Sequence, residues 1–383
     1  MGQGGGGFRR DDRLSFTMYP NLTTFCLAVT VLMATITSYA TTSVQGPTSR
    51  DVFYVGGAYV GEAGKELMRG AMYVEHMKPD RVLHKVPLVL ISGTAQTAVN
   101  WMTTPDGRQG WAQYFADQGW EVYMVDQPAR GRSAWHPGFD HEFRSLPVST
   151  VETLFTTSKG EWPQATLHTQ WPGTGRKGDP VFDQFYASQV AYIVSNVETQ
   201  NAMKAAGMAL LDRIGPAVLV THSQAGPFGW LMADARPAMV RGIVAIEPQG
   251  PPIQSGSRKT AAWGVTDVAI TYSPALLEPS ELKVEQQTRA DGPDLQTCWV
   301  QQAPARQLVN LKATPILVIG TEASYHAPFD HCTVRWLREA GASVEFLRLA
   351  ELGVHGNGHM VMLEKNNLEV AAIVSGWVAR NIP

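Results

Sequence analysis

A serine becomes a useful nucleophile only when a base stands within hydrogen-bond reach and an acid orients that base. Ser223 lies in the stretch Ala217-Val218-Leu219-Val220-Thr221-His222-Ser223-Gln224-Ala225-Gly226. Its opening apolar residues read as a buried strand. The residues that follow, Pro227-Phe228-Gly229-Trp230-Leu231-Met232-Ala233, can run as a helix. Pro227 then falls in the first turn, where a missing N–H costs little. A serine at the apex of a sharp strand-to-helix turn is a nucleophile elbow. So tight a turn needs small residues two positions before and after the serine. Thr221 and Ala225 stand where the usual pattern has glycines. The helix behind Ser223 would aim N–H groups at the site and favour a developing negative charge.

The matching base is expected late in the chain, in His355-Gly356-Asn357-Gly358-His359-Met360-Val361-Met362. The Asn357-Gly358-His359 turn leads into an apolar segment that can tether it, which favours His359 over His355. His222 adjoins the serine, but neighbouring side chains on an elbow point apart, so it is expected to pack beneath the turn. A metal held by His355 and His359 is disfavoured: a spacing of four suits a helix, and the glycines between them oppose one. Three carboxylates could orient the base, namely Glu247, Glu322 and Asp330. Each gives the chain order serine, acid, histidine, and the pattern of residues does not choose among them. The oxyanion hole needs two N–H donors. Gln224, the residue after the nucleophile, offers one, and Thr94 or Ala95 in the loop Ser92-Gly93-Thr94-Ala95-Gln96-Thr97 offers the other. No metal or organic cofactor is implied.

These residues need elements to carry them. Strands are expected at 53–60 and 70–77, as an antiparallel start, and then at 86–91, 121–125, 217–220, 241–246, 268–272, 314–319 and 343–347. Helices are expected at 110–118, over a long run at 183–211, after the elbow, at 332–340 and at 368–380. Strands alternating with helices argue a mainly parallel sheet covered on both faces. In such sheets chemistry gathers at the carboxyl ends of the strands, where the residues named above stand. Between 135 and 182 the periodicity fails, while Trp162, Trp171, Phe155 and His168 accumulate. So long an irregular stretch inside a compact domain is often functional, and it reads as a cap or lid over the site.

The chain has 383 residues, 44% hydrophobic and 17% charged, with a net charge of −3. That balance recommends neither nucleic acid nor an anionic membrane surface as a partner. Residues 1–40 stand apart. A glycine-rich start precedes an uncharged, mostly apolar run from Leu22 to Ala40, which ends Ser38-Tyr39-Ala40. This reads as a secretory signal peptide cut after Ala40, with a membrane anchor over residues 22–40 as the alternative. Residues 41–383 then form a single domain. Removing the segment takes Cys26 with it. Cys298 and Cys332 remain, either as one disulfide or as two free thiols.

Taken together, these residues resemble the α/β-hydrolase superfamily from about residue 50 to the end. More narrowly, they resemble a bacterial esterase subgroup with a Ser/Glu/His triad and a vicinal disulfide at its oxyanion hole. The resemblance is carried by Ile91-Ser92-Gly93, Thr103-Thr104-Pro105-Asp106-Gly107-Arg108 with Gly110-Trp111, Tyr114-Phe115, Asp126-Gln127 with Gly131-Arg132-Ser133, His222-Ser223-Gln224, Glu247-Pro248, and His355-Gly356-Asn357 with His359-Met360. It implies an α/β-hydrolase fold: a mainly parallel eight-stranded sheet, helices on both faces, and a cap insertion. It further implies Ser223 as nucleophile, His359 as base and Glu247 as acid, because the subgroup's glutamate follows the strand after the elbow. The vicinal cysteines are absent; Thr94 and Ala95 stand in their place. The expected activity is hydrolysis of a small-molecule carboxylic ester through an acyl-enzyme. The alternatives are lactone or amide cleavage or acyl transfer on the same triad, or a catalytically silent binding protein.

Overall fold

The apolar runs that carry the candidate residues form the centre of one eight-stranded sheet in the computed structural model of the protein, which describes Met1 and residues 48–140, 142–158, 160–255 and 258–382. The strands are β1 (Thr48–Val60), β2 (Leu67–Pro79), β3 (Leu88–Ile91), β4 (Val122–Asp126), β5 (Ala217–His222), β6 (Val240–Ile246), β7 (Ile316–Gly320) and β8 (Val344–Arg348). Their order across the sheet is β1-β2-β4-β3-β5-β6-β7-β8. The two pairings that involve β2 are antiparallel, with Phe53 opposite Val74 and Val74 opposite Val125. The other five are parallel.

Continuous apolar runs arise because each central strand is buried on both faces. Val89, Ile91, Leu219, Ile243 and Val318 enter one core layer; Leu90, Val218, Val220, Val244 and Leu317 enter the other. The longer helices are α1 (Trp111–Asp117), α2 (Pro180–Ala187), α3 (Asn196–Ile214), α4 (Gly226–Ala235), α5 (Asp330–Glu339) and α6 (Asn367–Asn381). Met203, Phe228 and Trp336 bring α3, α4 and α5 onto the first layer. Trp111, Val374 and Trp377 bring α1 and α6 onto the second. Each such side chain contributes about 1.5–3 kcal/mol by leaving water.

Two sequence expectations are corrected. The long helix at 183–211 is two helices, α2 and α3, separated by residues 188–195. Within that gap Tyr192–Ile193 pairs with Phe143–Arg144 as a short antiparallel ribbon. The break has a local cause. Ser195 caps α3, its hydroxyl accepting the Glu198 N–H at 3.3 Å, in a Ser-x-x-Glu pattern that marks a helix start. The expected strand at 268–272 is irregular. Its apolar residues Val268, Ile270 and Tyr272 are buried, but among the described residues no strand pairs with it, and the Thr271 N–H turns to Asp234 instead. Two small ribbons, Ile253–Ser255 with Arg258–Ala261 and Val284–Gln286 with Trp299–Gln301, occupy the stretch that sequence left mixed.

Cys298 and Cys332 form a disulfide, with an S–S distance of 2.06 Å, so of the two thiol states left open by the sequence the bonded one is found. Cys332 lies in the first turn of α5. Among the described residues no helix is long and apolar enough to cross a membrane. The expected signal peptide or anchor lies outside the described residues.

Candidate active site

Ser223 follows directly on the end of β5, and α4 starts three residues later, so the elbow is built as the pattern requires. The serine holds a left-handed backbone, with φ of 55°. That conformation is costly for a residue with a β-carbon and persists where its surroundings enforce it. Part of the enforcement is steric. Gly93, at the end of β3, passes so close that a β-carbon there would lie 2.8 Å from the Ser223 Cβ. Glu247, just beyond β6, is also left-handed, with φ of 44°.

The last loop brings His359 to this point. Its Nδ1 lies 2.6 Å from Glu247 Oε2. Both residues are fully buried. Glu247 is otherwise saturated: Oε1 accepts from the Thr321 N–H and hydroxyl, and Oε2 accepts the Ser324 hydroxyl at 2.6 Å. Burial pushes this carboxyl up, while His326 and the Ser324 and Thr321 donors pull it back. Burial, together with the neighbouring His326, pushes His359 well below the usual imidazole range. The carboxylate fixes the ring proton on Nδ1 and leaves Nε2 as an acceptor. Nε2 faces the Tyr325 hydroxyl at 3.4 Å, and Tyr325 lines one cavity together with Ser223.

The two other candidate acids are engaged elsewhere. Glu322 Oε2 bonds His355 Nδ1 at 3.1 Å. Asp330 Oδ1 bonds His326 Nδ1 at 2.9 Å. The structure thus gives His359 to Glu247 and the two alternative acids to different histidines. His222 packs beneath the turn, as expected: it is fully buried and its Nε2 donates to the His359 carbonyl at 3.0 Å. His326 stacks on the His359 ring, centroids 4.8 Å apart and planes 14° apart, and burial pushes it down to about 4. Ligand atoms of Glu247, His326 and His359 lie within 4.8 Å of one another, a spacing that suits a metal. The contacts just described already use the facing Glu247 and His359 atoms and one nitrogen of His326.

The loop after β3 supplies the other wall. Thr94 lines a cavity of about 350 Å³ together with Ser223 and Gln224. Ala95 beside it is buried, with φ of 58°, and its carbonyl accepts the Val190 N–H. The loop is braced from within and from β4. The Ser92 hydroxyl donates to the Thr97 carbonyl at 2.7 Å, Gln127 to the Ser92 carbonyl at 2.8 Å, and Arg130 to the Gly93 carbonyl at 2.8 Å. Asp126 accepts the Ala98 N–H at 2.8 Å and the Arg132 guanidinium at 2.8 Å. The second arm of Arg130 reaches the Gln224 side chain at 3.2 Å.

Three residues of this site were not singled out by sequence: Tyr325, His326 and Arg130. Tyr325 and His326 sit in the same loop as Glu322 and Asp330, and Arg130 immediately precedes Gly131-Arg132-Ser133. The signal was their place in loops already marked as strand ends. The irregular stretch at 135–182 also meets the site. Phe155 stacks on the His359 ring at 5.4 Å, the Trp162 indole donates to the Ala323 carbonyl at 3.0 Å, and the Thr169 and Gln170 N–H groups both reach the Gly356 carbonyl.

No protein-family model matches the chain. Over 333 residues, 86% of this chain and 89% of the relative, it is 46% identical to "Probable secreted lipase phiG" from a fungal species, strain ATCC 74256. Among solved structures, that of a novel bacterial esterase superposes with a TM-score of 0.59 at 24% identity, over 88% of this chain and 98% of the other. The strand order, the elbow after β5 and the extent of these likenesses agree, and the chain belongs to the α/β-hydrolase family that includes this secreted lipase.

Proposed function

We propose that this protein is a secreted serine hydrolase that cleaves carboxylic esters through an acyl-enzyme. The observation that carries the reading is the buried 2.6 Å pair between His359 Nδ1 and Glu247 Oε2, set beside a serine held in elbow geometry. Ser223 Oγ attacks the ester carbonyl, and its proton passes to His359 Nε2. Glu247 keeps the imidazole in the required tautomer and stabilises the cation that forms. The N–H groups of Gln224 and Thr94 receive the oxyanion; one such donor is worth about 3–4 kcal/mol in the transition state. His359 then protonates the leaving alcohol, and water, activated by the same base, releases the acid. The stretch 135–182 acts as the cap over this site, a role that the Phe155 and Trp162 contacts support. Secretion is supported by the name of the fungal relative.

The test is hydrolysis of para-nitrophenyl esters graded from short to long acyl chain, with Ser223→Ala in parallel. The expected result is a burst of nitrophenol that disappears in the variant. Equal rates in the two proteins would refute the mechanism.

A further inference from the structure

The cavity beside Ser223 has the wrong wall for a long hydrocarbon. Apolar ligands are held by pockets lined mainly with aliphatic and aromatic side chains. Here the side chains of Thr94, Gln224, Gln249, Thr260 and Asn196 face the space, the aromatic ones (Tyr192, Tyr325 and His326) each carry a polar group, and Val194 is the one aliphatic side chain on the wall. The wall also carries charge of one sign. Arg144 lines it, and none of the lining residues is an aspartate or glutamate.

Arg144 is held by the short ribbon in which it stands opposite Tyr192, another wall residue. Among the described residues its guanidinium pairs with no carboxylate and makes no hydrogen bond. The Asn196 side chain, at the first position of α3, likewise has no partner among them. Behind the wall lies a second cation. Arg130 is buried, lies 6.0 Å from the Tyr192 ring centroid, and gives its hydrogen bonds to the Gly93 carbonyl and the Gln224 side chain. Three acids near the wall are already engaged: Glu247 by His359, Asp330 by His326, and Asp267 by the amides of Gln249 and Gln200.

A small polar cavity, an unpaired guanidinium on its wall and a buried guanidinium behind it make a field that favours an anion. A planar fork of donors suits a carboxylate in particular. We infer that the ester taken by this site carries a carboxylate on the part that occupies the cavity, received by Arg144 and Asn196. The inference rests on the serine esterase reading and adds to it a substrate class: a compact acidic ester, in place of a long-chain acylglycerol.

The test compares para-nitrophenyl hydrogen adipate with para-nitrophenyl hexanoate, which match in chain length and differ in the terminal carboxylate. The readout is the ratio of their kcat/KM values, each corrected for spontaneous hydrolysis. The expected ratio favours the adipate by about tenfold, the lower end for a charge-assisted hydrogen bond because Arg144 is solvent-exposed. It should shrink as salt is raised. Arg144→Gln should bring the ratio near one, and Arg144→Lys should keep part of it. A wild-type ratio of one or less, or a preference unchanged in Arg144→Gln, would overturn the inference while leaving the esterase reading intact. No hydrolysis of either ester would sink both.

Discussion

Replacing Glu247 by glutamine tests the proposed triad most sharply, because it keeps the shape and removes the charge. The wild-type carboxylate accepts four hydrogen bonds and donates none: two from Thr321 on Oε1, and those of Ser324 and His359 on Oε2. A glutamine amide has one accepting end. The Thr321 backbone N–H can only donate, so the amide oxygen must stay on that side and the NH2 must face His359. There it donates to Nδ1, and the ring proton moves to Nε2. The imidazole is then protonated on the nitrogen that should receive the serine proton. A wrong tautomer of this kind costs on the order of 10⁴ in kcat, and the oxyanion hole sustains the remainder. Folding should be much less affected: a charge-assisted bond worth about 1.5–3 kcal/mol is lost, but so is a buried charge. The assay is burst and steady-state kinetics on para-nitrophenyl acetate, with a urea melt of the same protein. Activity within tenfold of wild type in a folded Glu247→Gln protein would refute the assignment. Glu322→Gln is the companion measurement. Its carboxylate serves His355, a residue in contact with solvent, and a loss below threefold is expected.

Three further outcomes follow from the same geometry. The base must be neutral to work, and burial holds His359 below the ordinary imidazole range. The acid limb of kcat/KM should therefore fall below about pH 6.5, the unperturbed value, and a limb at or above it would contradict the burial. Arg130→Met removes the clamp on the Gly93 carbonyl and the Gln224 side chain. kcat should drop about tenfold to a hundredfold with KM little changed, and a boronate transition-state mimic should weaken in step, whereas a parallel rise in KM alone would point to substrate contact. Removing the Cys298–Cys332 bond by the double serine substitution opens a 34-residue separation. On chain entropy this should cost about 3–4 kcal/mol in a denaturant melt, and an unchanged midpoint would mean that α5 is held without it.

How far the site could be read from sequence follows from the range of the forces that build it. The elbow is local, a strand, a turn and a helix within twenty residues, so its pattern survives in the sequence. The acid is not local. Glu247 stands at the end of β6, Glu322 just beyond β7 and Asp330 at the start of α5, and each meets a histidine: His359, His355 and His326 respectively. Residue types therefore could not choose among them, because the choice lies in which carboxylate reaches the imidazole beside the elbow, a distance fixed by strand order. The break between α2 and α3 was legible in Ser195-Asn196-Val197-Glu198 but was hidden by apolar spacing that runs on through 190–194.

The loop after β3, proposed to hold the oxyanion, makes the same point in reverse. Thr94 and Ala95 offer it no covalent staple. Here the stiffness comes from a neighbouring segment. Asp126 ends β4 and Gln127 and Arg130 follow it, and each bonds a different point of the loop or its end: the Ala98 N–H, the Ser92 carbonyl and the Gly93 carbonyl. A sequence reader sees Asp126-Gln127-Pro128-Ala129-Arg130-Gly131 as a turn. Its contacts lie on the loop after the neighbouring strand β3, and two of its three links can be cut singly. If the brace is shared, Gln127→Ala should weaken transition-state binding only modestly, and Gln127→Ala with Arg130→Met should lose more than the sum of the two, since each link left alone still holds the loop in part. Simple additivity would mean that Arg130 acts through its charge alone, and that the loop keeps its shape without help from β4.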